Sequence, residues 1–549
     1  MDEELVKYLK NLDMVESNDS RTQKIRHVHL LQGIAKDWVL DLARKRDILL
    51  ESSNSVLPCA VLVQGSTSLD VSFKNSDIDA VLVTPNFVYR EDFFNVFSEV
   101  LRKHPNIKDL LTVPDTFVPL IKMKVEGTSV DLIMSRLNLP YVPNPLVFNQ
   151  KPEKFYSNVD HFSVHGLSGL HLSQKIRELV PDFSLFTDLL KVIKIWTSRR
   201  LIKDYVYGFP ASVAWAILCA YICINTASNS SDSGTYLGLL DQTVATDSAE
   251  FQSGNRSNDA SFLRDFVAAI SPMGSSSKSQ IIPNDVGCRN RGSNHRLTLL
   301  VQIFFTYFSH WVWPSPVVLA PVISVPQLRL YSWDPKCDSQ NGHDLMPIIT
   351  PIFPHKNAAY TVRPSSRDIV VKELQRGCRL VRRIIRGSAN WEELFEPYDI
   401  SQDHRHFLRL TLSADNYQEL VRLGGLIDSR LRDLASFLEE HEFIQAVRIT
   451  KASDLPKSGL SSRQSLGCHS SENDADNKDE ACFSRTWLLG MKMVQATPLP
   501  DGTQPERQID VTEYLIRFYG ILHERDSRTN FLEKLVASYV TKSELIAKR

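Results

Sequence analysis

Four absences narrow the reading of this chain before any motif is considered. Its eight cysteines are scattered and include no C-x-x-C pair, which argues against a zinc site or a disulfide framework and suits a reducing compartment. Net charge is −1 over 549 residues, so no global basic field announces nucleic acid and any such contact has to be a local patch. No apolar run is long enough to span a bilayer with ease. Gly208 to Ile224 comes nearest, but it is at the short limit, carries Pro210 and Ser212, and follows the charged stretch Lys194 to Asp204, so a buried helix is expected there and no membrane partner. Met1 to Leu12 is mixed in charge and does not resemble an export signal.

Length predicts two to four domains. Two polar tracts, Thr226 to Asn294 and Ala452 to Glu480, are rich in Ser, Asn, Gly and Asp and read as insertions, despite one apolar patch at Phe262 to Ile270. Helical spacing is expected over Thr22 to Leu42, Leu297 to Phe308 and Asp368 to Ile385, with Trp311-Val312-Trp313-Pro314 stopping the second. The last third changes grammar: strand Phe407 to Leu412, helix Tyr417 to Glu440, strands Phe443 to Ile449 and Trp487 to Met493, helix Val511 to His523. That order predicts a small α+β sheet. Such a sheet can bind RNA, although the aromatic signature of the common RNA-recognition module is absent.

The informative segment lies earlier. Ala60-Val61-Leu62-Val63 predicts a short strand ending at Gly65-Ser66, where a small residue permits close backbone approach and a hydroxyl with nearby N–H groups can hold phosphate oxygens. Asp77 and Asp79 flank Ile78 at the mouth of the apolar run Ala80 to Val83, and the strand period of two sets both carboxylates on one face. Adjacent carboxylates repel unless a cation joins them. Hard oxygen ligands suit Mg²⁺, which takes one or two carboxylates together with substrate phosphates. A third acid, Asp131, sits in a strand after the turn Glu126-Gly127-Thr128, so Val118 to Val125 and Val130 to Met134 read as a hairpin beside the first strand. A bare Asp-x-Asp means little, and Asp474-Ala475-Asp476 repeats it in a polar stretch with no strand. The conjunction of strand, Gly-Ser turn, Asp-x-Asp and hairpin aspartate is what points to a two-metal nucleotidyl-transfer site. Arg376, Arg379, Arg382, Arg383 and Arg386 recur at three- and four-residue spacing. They predict a basic helix face that is either solvated or a phosphate contact.

These motifs, with Phe117-Val118-Pro119-Leu120-Ile121-Lys122, Ile193-Lys194-Ile195-Trp196, Gly208-Phe209, Trp313-Pro314-Ser315-Pro316, Trp333-Asp334-Pro335 and Leu345-Met346-Pro347-Ile348-Ile349-Thr350-Pro351, make the chain resemble a eukaryotic poly(A) polymerase of the nuclear type, a nucleotidyltransferase. The likeness covers Thr22 to Arg525 apart from the insertions. It implies an α+β multidomain protein: a catalytic nucleotidyltransferase palm with a mixed sheet at 51–178, a helical middle domain at 1–50 and 179–345, an RRM-like RNA-binding domain at 346–525 and a tail at 526–549. It further implies two Mg²⁺ ions, with Mn²⁺ as substitute, on Asp77, Asp79 and Asp131. Nucleotide contacts would come from Gly65, Ser66, Ser168, Lys194, Lys203, Tyr205, Ala211 and Ser212, and RNA contacts from Arg376, Arg379 and Arg383.

The chain departs from the family's pattern around the nucleotide. Ser168 stands where the family has Asn, Ser198 replaces a lysine, Lys203 and Tyr205 replace Tyr and Asn, and Ala211-Ser212 replace Gly-Gly. The reaction implied is template-independent transfer of AMP from ATP to an RNA 3′ end in mRNA polyadenylation, by a monomeric core working in the nucleus within a cleavage and polyadenylation complex. Uridylyl transfer, or a non-catalytic RNA-binding subunit, are the alternatives.

Overall fold

A computed structural model of the chain describes residues 1–12, 14, 16–50, 53–74, 76–114, 118–148, 152–227, 296–334, 343–454, 483–494 and 509–547. Nearly all of the two polar tracts, the Phe262 to Ile270 patch, Phe117 and Pro335 lie outside them. The chain forms two compact units, one of residues 1–195, 213–358 and 375–394 and one of residues 196–212, 359–374 and 395–549.

The first unit opens with α1 (Asp2–Asn11) and α2 (Asn18–Lys45), the second capped by Ser17, whose hydroxyl accepts from the Ser20 N–H at 3.2 Å. Then come β1 (Ala60–Val63), a single helical turn α3 (Gly65–Ser68), β2 (Ile78–Thr84), β3 (Ile107–Val113), β4 (Leu120–Val125) and β5 (Thr128–Arg136). They build a mixed sheet in the order β1-β2-β5-β4-β3, in which only β2 and β5 run parallel. β2 is central and covered on both faces, which is why Ile78 to Thr84 reads as an almost continuous apolar run. Its alternate residues part company: Ile78, Ala80 and Leu82 pack with Leu31, Ala35, Trp38 and Val39 of α2, while Val81 and Val83 pack with Val164, Leu167 and Leu170 of α4 (His161–Leu179). Gly166 makes that second approach possible, because a Cβ there would stand 2.1 Å from Ser135 Oγ and 3.1 Å from Ile133 of β5.

Residues 1–50, assigned by their sequence as one block to a helical domain, divide. The Asp2 carboxylate of α1 accepts from the N–H groups of Leu297 and Thr298, at 3.0 and 2.8 Å, whereas α2 covers the sheet. Leu297 and Thr298 begin α7 (Arg296–Ser309), which follows α5 (Phe183–Arg199) and α6 (Ser212–Ala227). α6 is the apolar stretch near Gly208 to Ile224, with Ala214 to Cys223 all buried. Among the described residues no helix is long and apolar enough to cross a membrane. The arginine-rich helix is α8 (Pro364–Ile385).

The second unit contains β6 (His406–Ala414), α9 (Tyr417–Leu438), β7 (Ile444–Lys451), β8 (Phe483–Met493), α10 (Thr512–Arg525) and β9 (Leu535–Thr541). All four strands pair antiparallel in the order β9-β6-β8-β7. Residues 526–549, read from sequence as a tail, therefore supply a strand: β9 pairs with β6 from Leu535↔Leu412 to Thr541↔His406, and Leu535 and Val540 are buried. Burial of those two side chains is what a free tail would forgo.

Candidate active site

Backbone parity assembles the site. In β2, Asp79 shares its face with Val81 and Val83, the residues that meet α4, and Asp77 lies two residues before it. In β5, Asp131 shares its face with Ile133, which belongs to the same apolar cluster. The parallel register places Asp79 directly beside Asp131. The Glu126-Gly127 turn has positive φ at both positions, 48° and 87°, the conformation that suits the right-handed twist of a two-residue hairpin. It fixes the register of β4 on β5 and sets Lys122 opposite Asp131, and Lys122 Nζ donates to Asp131 Oδ2.

β1 ends at the other flank of β2. Gln64 N–H donates to Asp79 O at 2.9 Å, and the chain then turns through Gly65 at φ +62°. A Cβ on Gly65 would lie 3.2 Å from Asp79 Oδ2, so glycine suits the backbone angle here and leaves the Asp79 carboxylate undisturbed. Lys194 of α5 donates from Nζ to Val71 O at 2.7 Å, with its ammonium 4.7 Å from the centre of the Phe73 ring, and its charge reaches Asp79. Ser168, half-buried on α4, turns its hydroxyl to Val164 O at 2.7 Å, one residue before Gly169, whose own Cβ position meets the Gln64 side chain.

Burial, then the charges of Asp131 and Asp77, push the Asp79 carboxyl up to about 6. Asp77 is raised as well, by burial first and then by Asp131, and the ammonium groups of Lys122 and Lys24 oppose that rise. Carboxylates that raise one another in this way form a donor set of the hard, anionic kind that a divalent cation neutralises. Among the described residues, however, no three His, Cys, Asp or Glu side chains close into a ready-made metal group. Asp131 answers instead to the ammonium of its cross-strand partner, and the pair that fits a cation together with substrate phosphates is Asp77 with Asp79.

The remaining expected residues divide. Lys203, Tyr205, Ala211 and Ser212 belong to the second unit, where Lys203 Nζ lies 3.4 Å from Ser198 Oγ, Tyr205 is exposed at the head of a short turn and Ser212 begins α6. The arginines of α8 do not form one free phosphate-binding row. Arg376 donates to the carbonyls of Glu393 and Leu394, at 2.7 and 3.3 Å, and so closes the neighbouring helical turn; Arg383 pairs with Glu393 at 3.4 Å and bonds Ser388 O, and Arg379 is exposed. Sequence reasoning gave no role to Lys122, although the two-residue turn would have placed it opposite Asp131 by counting back along both strands. Lys24 carried no local signal, because it enters from α2, far away in sequence.

Comparison with known proteins points to one family. The family model for the poly(A) polymerase nucleotidyltransferase domain matches residues 1–180, and that for the poly(A) polymerase central domain matches residues 185–231 and 293–397. Poly(A) polymerase PAPalpha of Candida albicans is 28% identical over 97% of this chain and 86% of its own length. Poly(A) polymerase pla1 of Schizosaccharomyces pombe is 28% identical over 79% of this chain and 64% of its own. A crystal structure of the Cid1 poly(U) polymerase superimposes at 13% identity with a TM-score of 0.39, covering 72% of this chain and 99% of that one, a likeness too loose to bear on fold or substrate.

Proposed function

The chain belongs to the poly(A) polymerase family, and from that premise we propose that its first unit transfers AMP from ATP to the 3′ end of RNA without a template, as a polynucleotide adenylyltransferase. The observation that carries the reading is the in-register pairing of Asp79 with Asp131 next to Gly65. The RNA 3′ oxygen forms a bond to the α-phosphorus, the bond from that phosphorus to the β-phosphate bridge breaks, and pyrophosphate leaves.

Asp77 and Asp79 would hold Mg²⁺, for which Mn²⁺ could substitute. Two such ions, when bound, lower the pKa of the attacking hydroxyl and neutralise charge on the leaving pyrophosphate. Gly65 and Ser66 hold the triphosphate with backbone N–H groups and a hydroxyl, and Lys194 supplies a compact positive charge beside them. Asp131, next to the 3′ hydroxyl, receives its proton, while Lys122, whose Nζ donates to Asp131 Oδ2, orients that carboxylate. Within the first unit, Ser168 is assigned a contact to the base or sugar.

The four-stranded sheet of the second unit has the β-α-β-β-α-β order of RRM-like domains, and RNA is proposed to reach it and the exposed Arg379 and Arg383 through backbone phosphates. Nuclear residence, a monomeric core and work within a cleavage and polyadenylation complex complete the proposal. The test is incubation of the purified protein with an oligoadenylate primer, Mg²⁺ and each nucleoside triphosphate singly. ATP alone should give a growing ladder. Growth with UTP in preference, or none with any nucleotide, would refute the assignment.

A further inference from the structure

Between the Gly65-Ser66 turn and Asp77 runs a connecting segment that is fastened from outside at several points. Val71 O takes Lys194, Lys74 N–H donates to Met14 O at 2.9 Å, and Ser68 O accepts from Arg177 Nε at 3.0 Å. Its centre is Asp70. One carboxylate oxygen takes Arg21 of α2 and the other takes Arg177 of α4, the latter at 3.0 Å. Asp70 holds φ +60°, left-handed backbone that few residues other than glycine adopt. On this side the segment faces a cavity of about 460 Å³ walled in part by Arg21, Lys24, Thr67, Asp70, Arg177 and Lys191.

We infer that Asp70 is a positioning residue for nucleotide binding: gripped between Arg21 and Arg177, it sets the separation and orientation of the Gly65-Ser66 turn at one end of the segment and Asp77 at the other. The inference rests on the adenylyl transfer proposed above. Asp70 itself touches no substrate in that scheme. Its loss leaves two guanidinium groups facing each other and loosens the centre of the segment while the Lys194 and Met14 contacts remain, so the triphosphate and the first carboxylate lose part of their mutual alignment. Arg21 and Arg177 are 53% and 41% exposed, and ion pairs of that kind add little to folding stability, so an effect of their loss on activity would not be one of unfolding.

The experiment compares the full-length wild type with Asp70→Asn, which keeps the shape and the tolerance of left-handed backbone, and Asp70→Gly, which also relieves the backbone angle. Both should melt near the wild type, raise the ATP KM about tenfold and leave the primer KM unchanged. Arg177→Met combined with Asp70→Asn should be no worse than Asp70→Asn alone, and Arg177→Lys should retain most of the wild-type ATP KM. An unchanged ATP KM in Asp70→Asn, an equal rise for ATP and primer, or failure of Asp70→Gly to fold overturns the assignment. A wild type that extends no primer refutes the proposed reaction itself, whereas an active wild type with an indifferent Asp70→Asn refutes the positioning role alone.

Discussion

Asp79 and Asp131 stand side by side on parallel neighbouring strands, paired in register, so each carboxylate is held against the other by backbone rather than by side-chain choice. The cost of that juxtaposition is visible in Asp79, whose carboxyl rises to about 6.

Neutralising either acid should abolish extension while the protein stays folded. For Asp79→Asn and Asp131→Asn the expected fall in kcat is more than about 100-fold, with an unchanged far-ultraviolet circular dichroism spectrum. Single-turnover primer extension measures it, and near-normal rates in either variant would contradict a catalytic role for that aspartate.

Stability should move the other way. Because the folded carboxyl of Asp79 titrates near 6 and the unfolded one near 3.8, the native state binds the extra proton between those values. Stability therefore falls as pH rises from about 4 to about 6 and levels off above, a loss on the order of 3 kcal/mol for a group with this shift. Asp79→Asn escapes that loss, so in EDTA it should melt above the wild type at pH 7.5 and alongside it at pH 4. Scanning calorimetry at the two pH values decides, and equal melting temperatures at pH 7.5 would count against the strain.

Mg²⁺ supplies a separate readout. Bound to the native state alone, it should raise the melting temperature of the wild type in proportion to the logarithm of its concentration, and raise that of Asp79→Asn little. Thermal shift titration in the absence of nucleotide tests this.

Lys122→Met should push the acid limb of the pH–activity profile to higher pH, because the ammonium that lowers both Asp77 and Asp79 is gone. A displacement of up to about one pH unit is expected. The kcat/KM profile between pH 5.5 and 8.5 reports it; a coincident limb would show that Lys122 does not sense these acids.

Ending the chain at Asn530 removes β9 and with it the burial of Leu535 and Val540. At about 1.5–3 kcal/mol for each such side chain, the deletion should destabilise by roughly 3–6 kcal/mol. Urea denaturation of the truncated protein gives the number, and wild-type stability would mean the strand is dispensable.

Much of the catalytic sheet was legible because strand period is local information. Ala60 to Val63, Ile78 to Val83 and the hairpin around Glu126-Gly127 declare themselves by alternation or unbroken apolarity, and parity puts Asp77 and Asp79 on one side, whereas the place of Asp131 beside Asp79 needed the parallel register of the two strands. Contacts reaching across the chain were not legible. Lys24 acts on Asp77, and Arg21 and Arg177 meet at Asp70, only because α2 and α4 flank the same loop, and no short-range pattern encodes that meeting. Arg376 shows the opposite failure: helical spacing made it look like part of an exposed row, whereas its guanidinium is committed to the carbonyls of Glu393 and Leu394. β9 escaped notice because its alternation is weak, with Ala537 and Ser538 at its middle.

The tight turn at Glu126-Gly127 is braced from two sides, by Asn106 at 2.6 Å and His27 at 3.2 Å from the Glu126 carboxylate. One additional residue inserted at that corner would slide the returning strand by a single step, and every side chain on it would exchange sides. Asp131 would then be driven among Leu31, Trp38 and Val39, and Val130 would take its place beside Asp79. The spacing of this corner thus acts as a ruler for chemistry roughly fifteen ångströms of extended chain away, and an engineer free to vary its composition has no such freedom with its length.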